Sequence, residues 1–107
     1  MLIYIAGPMT GLPDLNFPAF DAAERQLRDA GYDVLNPTRH GGGDPNKTRL
    51  DYLVPCLYDV MAADGVALLD DWETSKGAPV EAKLAQVHDK PVVGIRAWLN
   101  RAQDVAG

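Results

Sequence analysis

The chain has 107 residues, of which 47% are hydrophobic and 23% are charged. This composition is typical of one globular domain over residues 1–107 and excludes a disordered chain. The net charge of −5 excludes duplex nucleic acid as an expected partner, because basic residues must neutralise its phosphates. No apolar run is long enough to span a membrane, and the single cysteine, Cys56, favours a reducing compartment, so we expect a cytoplasmic protein.

The N-terminal part of the chain predicts a strand, a loop and a helix. Residues 2–6 form a nearly continuous apolar run, which is typical of a strand buried on both faces of a sheet. Residues 7–16 are polar and rich in Gly and Pro, so we expect a loop there. Apolar residues at helical spacing then predict a helix from about residue 17 to 30, with Asn16 as its N-cap and Gly31 just after its end.

The middle of the chain predicts a second strand, a long loop and a second helix. A strand over residues 32–35 leads to a loop over residues 38–47 that has no periodic apolar pattern. Apolar residues at spacings of three and four then predict a helix over residues 50–61. Pro55 lies inside this helix, where its ring should kink the helix or split it.

The C-terminal part predicts two more strands and two more helices. The strands cover residues 65–69 and 91–95. The helix between them covers about residues 77–88, with a hydroxyl residue just before it as its cap, and a short final helix is expected within residues 97–106. The side chains expected to face the sheet from the helix between the strands are Val80, Leu84 and Val87.

This alternation of strands and helices predicts an α/β fold. We expect a small flavodoxin-like or Rossmann-like three-layer sandwich, with a parallel sheet of four strands or, at most, five. Ligands in such folds bind outside the carboxyl ends of the strands, near the point where the strand order reverses. The loops over residues 7–16, 36–47 and 70–77 should therefore converge on one site.

Two of these loops carry candidate site residues. Gly7 follows the first strand and would let a ligand approach the backbone, although a tight turn explains it equally well. Ser75, Lys76 and the backbone amides near Gly77 lie at a predicted helix N-terminus, which favours an anion. Glu81 lies one turn inside that helix, where it points into the same pocket or is simply solvated.

Taken together, these segments resemble the nucleoside 2-deoxyribosyltransferase superfamily, which includes deoxynucleoside 5′-monophosphate N-hydrolases. The resemblance to the superfamily rests on YIAGPMTG over residues 4–11 and on the stretch over residues 63–85. The resemblance to one of its families rests on GPMTG over residues 7–11, Asn36-Pro37 and WETSKGAPVE over residues 72–81. Within that superfamily, a phage and bacterial family of unassigned activity shows the most similar pattern. A phage-encoded chain would work in the host cytoplasm.

The resemblance implies a role for several residues. Glu81 matches the carboxylate that attacks the anomeric carbon of the sugar, and Tyr4 matches the tyrosine that orients it. Ser75 matches the serine that faces the 5′-phosphate in the monophosphate hydrolases. Trp72 either stacks on the base or covers the edge of the core. The full set of residues expected to bind substrate is Gly7, Pro8, Met9, Trp72, Ser75 and Gly77.

Cys56 is the departure from the superfamily pattern. It occupies the place of an aspartate that handles the proton of the base, and a thiol is a poor replacement for a carboxylate. The plain interpretation is a small, buried core residue. Asp59, Asp71 and Glu73 are alternative proton donors, and the sequence does not choose among them. The two histidines show no metal-ligand spacing, and we expect neither a metal nor a cofactor.

These observations favour an enzyme that cleaves the N-glycosidic bond of a (deoxy)nucleoside 5′-monophosphate or nucleoside. Attack by water on the glutamate-bound sugar would make it a hydrolase, and attack by a second base would make it a deoxyribosyltransferase. The alternatives are a non-catalytic nucleotide or nucleotide-sugar sensor and a purely structural protein or phage partner. Because related enzymes close their pockets with a neighbouring subunit, the resemblance also implies a homodimer or a higher homo-oligomer.

Overall fold

The computed structural model describes residues 1–40 and 46–106. Each predicted strand and helix is present, with ends within two residues of the prediction. The strands are β1 (Leu2–Ala6), β2 (Asp33–Leu35), β3 (Gly65–Leu68) and β4 (Val92–Gly94). The helices are α1 (Phe17–Asp29), α2 (Arg49–Ala62), α3 (Ala78–Val87) and α4 (Ile95–Ala106). No helix in this described part of the chain has the length and apolar character needed to cross a bilayer.

The four strands form one parallel sheet in the order β2-β1-β3-β4. The chain leaves β1 for β2 on one side and returns to the other side of β1 for β3, so the strand order reverses between β1 and β3. Tyr4 pairs with Leu35 on one neighbour and with Val66 on the other. A crevice at the carboxyl ends of β1 and β3 is therefore the expected ligand site.

The sheet lies between two layers of helices, as the sequence predicts. One apolar cluster joins the sheet to α1 and α4, and a second joins it to α2 and α3. The first cluster includes Ile3, Ile5, Phe20, Leu27 and Trp98. The second includes Tyr4, Ala6, Cys56, Val60, Ala78 and Ala85. Alternate residues of β1 thus serve opposite faces, which places Tyr4 on the α2 and α3 side.

Helix α2 continues through Pro55 from residue 49 to 62, so of the two expected effects of this proline the split does not occur. Proline removes the hydrogen bond to the carbonyl one turn earlier, and the remaining hydrogen bonds of the 14-residue helix hold it together. The start of α2 is also well capped, because Thr48 and Asp51 exchange backbone and side-chain hydrogen bonds in a capping box.

The predicted inner face of α3 is wrong for two of its three residues. Leu84 packs against the apolar cluster as predicted, but Val80 and Val87 are 44% and 64% exposed. The buried side chains of α3 are those of Ala78, Glu81, Ala82 and Ala85. Small alanine side chains let the helix lie close to the sheet and to α2. This close packing carries Glu81 into the layer between α3 and β1, where valines would hold the helix further away.

Two loops around the crevice also differ from the prediction. Asn16 precedes α1 as expected, but it has a left-handed backbone (φ 62°) and makes no side-chain cap. Its amide instead donates to the Pro8 carbonyl at 2.9 Å, which ties the two ends of the first loop together. The loop predicted over residues 38–47 begins instead within a 3₁₀ turn that covers residues 37–40. Residues 41–45 lie outside the described part of the chain.

Trp98 anchors α4 to the sheet. Its indole N–H donates to the Val66 carbonyl at 2.9 Å, and its own carbonyl accepts the Tyr32 hydroxyl at 2.8 Å. A Cβ at Gly65 would lie 2.6 Å from the indole ring, so glycine is what lets the ring rest on the start of β3. The C-terminal helix therefore packs against the sheet through one large aromatic side chain.

We expect Trp98→Ala to lower the free energy of unfolding by about 3–5 kcal/mol, because it leaves a large cavity and removes the indole hydrogen bond to the Val66 carbonyl. Denaturant titration would measure the loss. Asn100→Ala, at an exposed position of the same helix, is the control and should change stability by less than about 0.5 kcal/mol. Equal stability of the two variants would contradict this role for Trp98.

Candidate functional site

A cavity of about 780 Å³ opens at the carboxyl ends of β1 and β3, which is the size of a small-ligand pocket. Its wall combines the loop after β1, the turn after β2, the loop after β3, the inner side of α2 and the first turn of α3. Eight of the eleven residues predicted from the sequence line it: Tyr4, Gly7, Pro8, Met9, Asp71, Ser75, Gly77 and Glu81.

Three predicted residues are not among those that line the cavity. Trp72 packs against the apolar cluster between the sheet, α2 and α3, so its ring covers the edge of the core. Glu73 is exposed beside it. Asp59 is half-buried on α2 and contacts the cavity wall through the His40 ring. Stacking of a base on Trp72 therefore has no support in this arrangement.

Tyr4 and Glu81 meet at the buried end of the cavity. The Tyr4 hydroxyl donates a hydrogen bond to Glu81 Oε2. Tyr4 is fully buried, and Glu81 is only 6% exposed. A carboxyl group at such a site needs hydrogen-bond donors, because burial removes its water. The pair thus joins the middle of β1 to the first turn of α3 and leaves one carboxyl face toward the cavity.

Burial dominates the electrostatics of this pair. It raises the pKa of Glu81 from the ordinary value of 4.5 to about 7, against the lowering effect of hydrogen bonds from Tyr4 and Cys56. The Asp59 charge raises it further. Burial also raises the pKa of Tyr4 well above its usual 10, so the hydroxyl remains a donor. Near neutral pH, Glu81 therefore exchanges readily between its protonated and ionised forms.

Cys56 lies beside this pair on α2. Its thiol is a close neighbour of both Tyr4 and Glu81, and it is largely buried. Burial raises the pKa of the thiol to about 11. Cys56 therefore stays protonated at neutral pH and lines the cavity as a neutral group. Its place on the sheet side of α2 accounts for the burial of Cys56 and puts the thiol next to Glu81.

The N-terminus of α3 forms one wall of the cavity. The Ser75 Oγ accepts hydrogen bonds from the amides of Gly77 at 3.2 Å and Ala78 at 3.1 Å, so Ser75 caps the helix. The Thr74 hydroxyl donates instead to the Asp71 carbonyl. Because Ser75 Oγ is the acceptor in both contacts, its own O–H is left to donate to a ligand.

The two candidate glycines have different surroundings. A Cβ at Gly7 would lie 2.8 Å from the Cβ of Leu69, so close packing of the loop on the end of β3 requires glycine there. A Cβ at Gly77 would meet only Leu53, at 3.7 Å. Packing accounts for Gly7 by itself, whereas the backbone at Gly77 remains open on the cavity side.

A histidine–carboxylate pair is the site feature that the sequence does not reveal. His40, on the turn after β2, lines the cavity, and its Nε2 lies 2.7 Å from Asp59 Oδ2 on α2. Both side chains are half-buried. The two residues are 19 positions apart, and one of them lies in an irregular segment, so no periodic pattern pairs them. The described residues contain no group of three or more His, Cys, Asp or Glu side chains arranged to hold a metal.

Comparisons with known proteins identify a family and a similar fold. A family described as a domain of unknown function (DUF4406) matches residues 1–94. A search of curated proteins finds no significant match. Among solved structures, the chain is similar to one described as a 2-deoxyribosyltransferase from the psychrotolerant bacterium Bacillus psychrosaccharolyticus, with a TM-score of 0.67 and 21% identity, covering 87% of this chain and 71% of that chain. The resemblance noted in the sequence is thus confirmed at the level of the fold.

The buried carboxyl makes a prediction about stability. Because folding raises the pKa of Glu81, the stability contributed by its protonated form is complete below about pH 4.5 and is lost as the pH rises through about 7. Glu81→Gln cannot ionise, so it escapes this loss. We expect the wild type to lose up to about 3 kcal/mol relative to the variant between about pH 4 and pH 8.

Denaturant titrations across that pH range would measure the difference in unfolding free energy. Glu73→Gln, which neutralises an exposed carboxylate, is the matched control and should follow the wild type. Parallel stability profiles for the wild type and Glu81→Gln would show that Glu81 is not a buried, proton-binding group.

Proposed function

We propose a function for this chain, which belongs to the DUF4406 family and has a 2-deoxyribosyltransferase-like fold. In this proposal it cleaves the N-glycosidic bond of a (deoxy)nucleoside 5′-monophosphate through Glu81. The buried Tyr4–Glu81 pair at the end of the cavity is the observation that carries the proposal. A buried carboxylate that the Tyr4 hydroxyl holds in place, with one face toward a ligand-sized space, is suited to attack an electrophilic carbon.

The chemistry would proceed in two steps. The ionised Glu81 attacks C1′ of the sugar, the C1′–N bond breaks, and its electron pair leaves with the protonated base. Water then attacks C1′ of the glutamyl ester, which releases the sugar phosphate and restores the carboxylate. A second base in place of water would give transfer instead of hydrolysis. The similar solved structure is described as a biocatalyst for nucleoside synthesis, which corresponds to transfer.

The N-terminus of α3 supports a monophosphate as the substrate. The Ser75 hydroxyl, the Lys76 ammonium and the positive end of the helix dipole all border the cavity near Glu81. A phosphate there would accept hydrogen bonds from a neutral hydroxyl and meet an opposite charge. An aspartate in place of Ser75 would repel that phosphate, whereas a free 5′-hydroxyl would tolerate either residue.

We expect Glu81→Gln to slow release of base by about 1,000-fold or more, because the amide oxygen is a poor nucleophile. The assay is chromatography of purified protein incubated with a panel of nucleoside and deoxynucleoside 5′-monophosphates. Glu73→Gln should keep the wild-type rate, since that exposed side chain is not among those that line the cavity. Equal release by the wild type and Glu81→Gln would rule out Glu81 as the nucleophile.

A nucleotide or nucleotide-sugar sensor is the second candidate function, and Cys56 favours it. Its neutral thiol occupies the position at which the resembled enzymes carry an aspartate, so the pocket could bind without reacting. A sensor would gain thermal stability from a nucleotide, about 2.7 kcal/mol at 100 times Kd, without releasing base. Base release that appears only in Cys56→Asp would identify the wild type as a binding protein.

We also propose that a second copy of the chain covers one side of the molecule. Six of the nine large hydrophobic side chains that are exposed in the described residues lie on α2 and α3. Four of them recur on one face of α2 and are called here the α2 stripe: Leu50, Val54, Tyr58 and Met61. The stripe adjoins the cavity wall, because Tyr52 and Leu53 of the same helix line the cavity. Two such stripes would form a self-complementary apolar contact next to the site.

We expect light scattering after gel filtration to give the mass of a dimer or larger assembly for the wild type. Tyr58→Glu should shift the protein toward the monomer, because it places a charge at a position that is 74% exposed in the single chain and buried in the contact. Gln26→Glu, exposed on α1 in the opposite layer, should leave the mass unchanged. A monomeric wild type at high micromolar concentration would contradict the proposal.

A further inference from the structure

The proposed reaction needs a proton donor for the leaving base. When the C1′–N bond breaks, its electron pair goes to a base nitrogen, and protonation of the base makes it a far better leaving group. Cys56 lies in the cavity but carries its proton on a weakly acidic thiol. Among the donors predicted from the sequence, Glu73 is not among the cavity-lining residues, and Asp71 lines the cavity from an exposed position at its rim.

A candidate donor outside that set is His40. It lines the same cavity as Glu81, and its Nε2 is hydrogen-bonded to Asp59 Oδ2 at 2.7 Å. With Nε2 held by Asp59, the ring nitrogen that can exchange a proton with a ligand is Nδ1. A carboxylate on the far side of an imidazole fixes its tautomer and stabilises the positively charged ring.

The turn that carries His40 is held in a defined position. The buried Asn36 accepts the Thr38 amide at 3.0 Å and donates to both Asp21 and Glu24 on α1, at 3.1 Å each. Arg39 also bonds to Glu24, at 3.1 Å. The Asn36-Pro37 motif thus locks the end of β2 to α1, and this places His40 at the cavity wall.

We infer that His40, positioned by Asp59, donates the proton to the departing base and then accepts one from the attacking water. In the first step the His40 Nδ1–H bond breaks as the base nitrogen gains the proton and Glu81 bonds to C1′. In the second step water gives a proton to Nδ1, its oxygen bonds to C1′, and the glutamyl ester breaks. The inference rests on the proposed function, and over both steps the histidine regains its starting state.

A comparison of two leaving groups tests this role. The first substrate is the nucleoside 5′-monophosphate that the wild type cleaves. The second is the 4-nitrophenyl glycoside of the same sugar 5-phosphate, whose leaving group, 4-nitrophenolate, departs as an anion and needs no proton. We expect His40→Gln to slow the first-turnover release of base from the nucleotide by about 100-fold or more, and the first-turnover release of 4-nitrophenolate by less than about threefold. Hydrolysis of the glutamyl ester, which the two substrates share, should slow equally for both. Asp59→Asn should show the same selective loss to a smaller extent.

Two variants complete the design. His88→Gln, which changes an exposed histidine at the end of α3, should match the wild type on both substrates. Asp71→Asn tests the rival donor at the cavity rim. Thermal melting of each variant reports whether it is folded. If His40→Gln does not fold, the comparison of the two substrates is made with Asp59→Asn.

The outcomes separate this inference from the function on which it rests. Selective loss on the nucleotide supports His40 as the donor. Equal losses on both substrates mean that His40 only supports the pocket, and selective loss in Asp71→Asn alone assigns the donor to Asp71; either result overturns the inference while leaving Glu81 chemistry intact. If the wild type cleaves neither substrate, the proposed function fails and the inference fails with it.

Discussion

The hydrogen bond from Tyr4 to Glu81 is the constraint around which this small fold is arranged. A carboxyl group in a core is costly unless donors replace its lost water, and here the donor is a tyrosine from the most buried strand. For the two to meet, β1 must lie at the centre of the sheet with α3 packed directly over it. The strand order β2-β1-β3-β4 and the alanine face of α3 satisfy both conditions.

The same arrangement opens the site. Because the strand order reverses beside β1, the loops after β1 and β3 separate at their carboxyl ends and leave a cavity above Tyr4. The Ser75 cap starts α3 at the cavity wall, so the helix dipole and the buried carboxyl lie within one turn of each other. The net charge of −5 therefore does not describe the electrostatics of the cavity. The N-terminus of α3 attracts anions, whereas burial raises the pKa of Glu81 and favours its protonated form.

The sequence predicts the order of strands and helices well, because apolar spacing and turn residues are local signals. Tyr4 is named only through the resemblance, since it has no periodic signature of its own. The position of Glu81 near a helix N-terminus leaves it either in the pocket or in solvent, and only the resemblance chooses the pocket. Apolar spacing predicts that Val80 and Val87 face the sheet from α3, whereas close packing of this helix selects alanine. The His40–Asp59 pair escapes prediction because it joins an irregular turn to a helix through tertiary contact alone.

The central claim, that Glu81 bonds covalently to a sugar, is tested most directly by mass spectrometry of the reacting protein. We expect acid quenching during turnover of a nucleoside 5′-monophosphate to trap a protein heavier by one sugar phosphate, with the added mass on the peptide that contains Glu81 and absent from Glu81→Gln. Tyr4→Phe should form the adduct more slowly, because the carboxylate loses its buried donor. Rapid release of base with no adduct at any point in the turnover, or an adduct on a different residue, would contradict the assignment of Glu81 as the nucleophile.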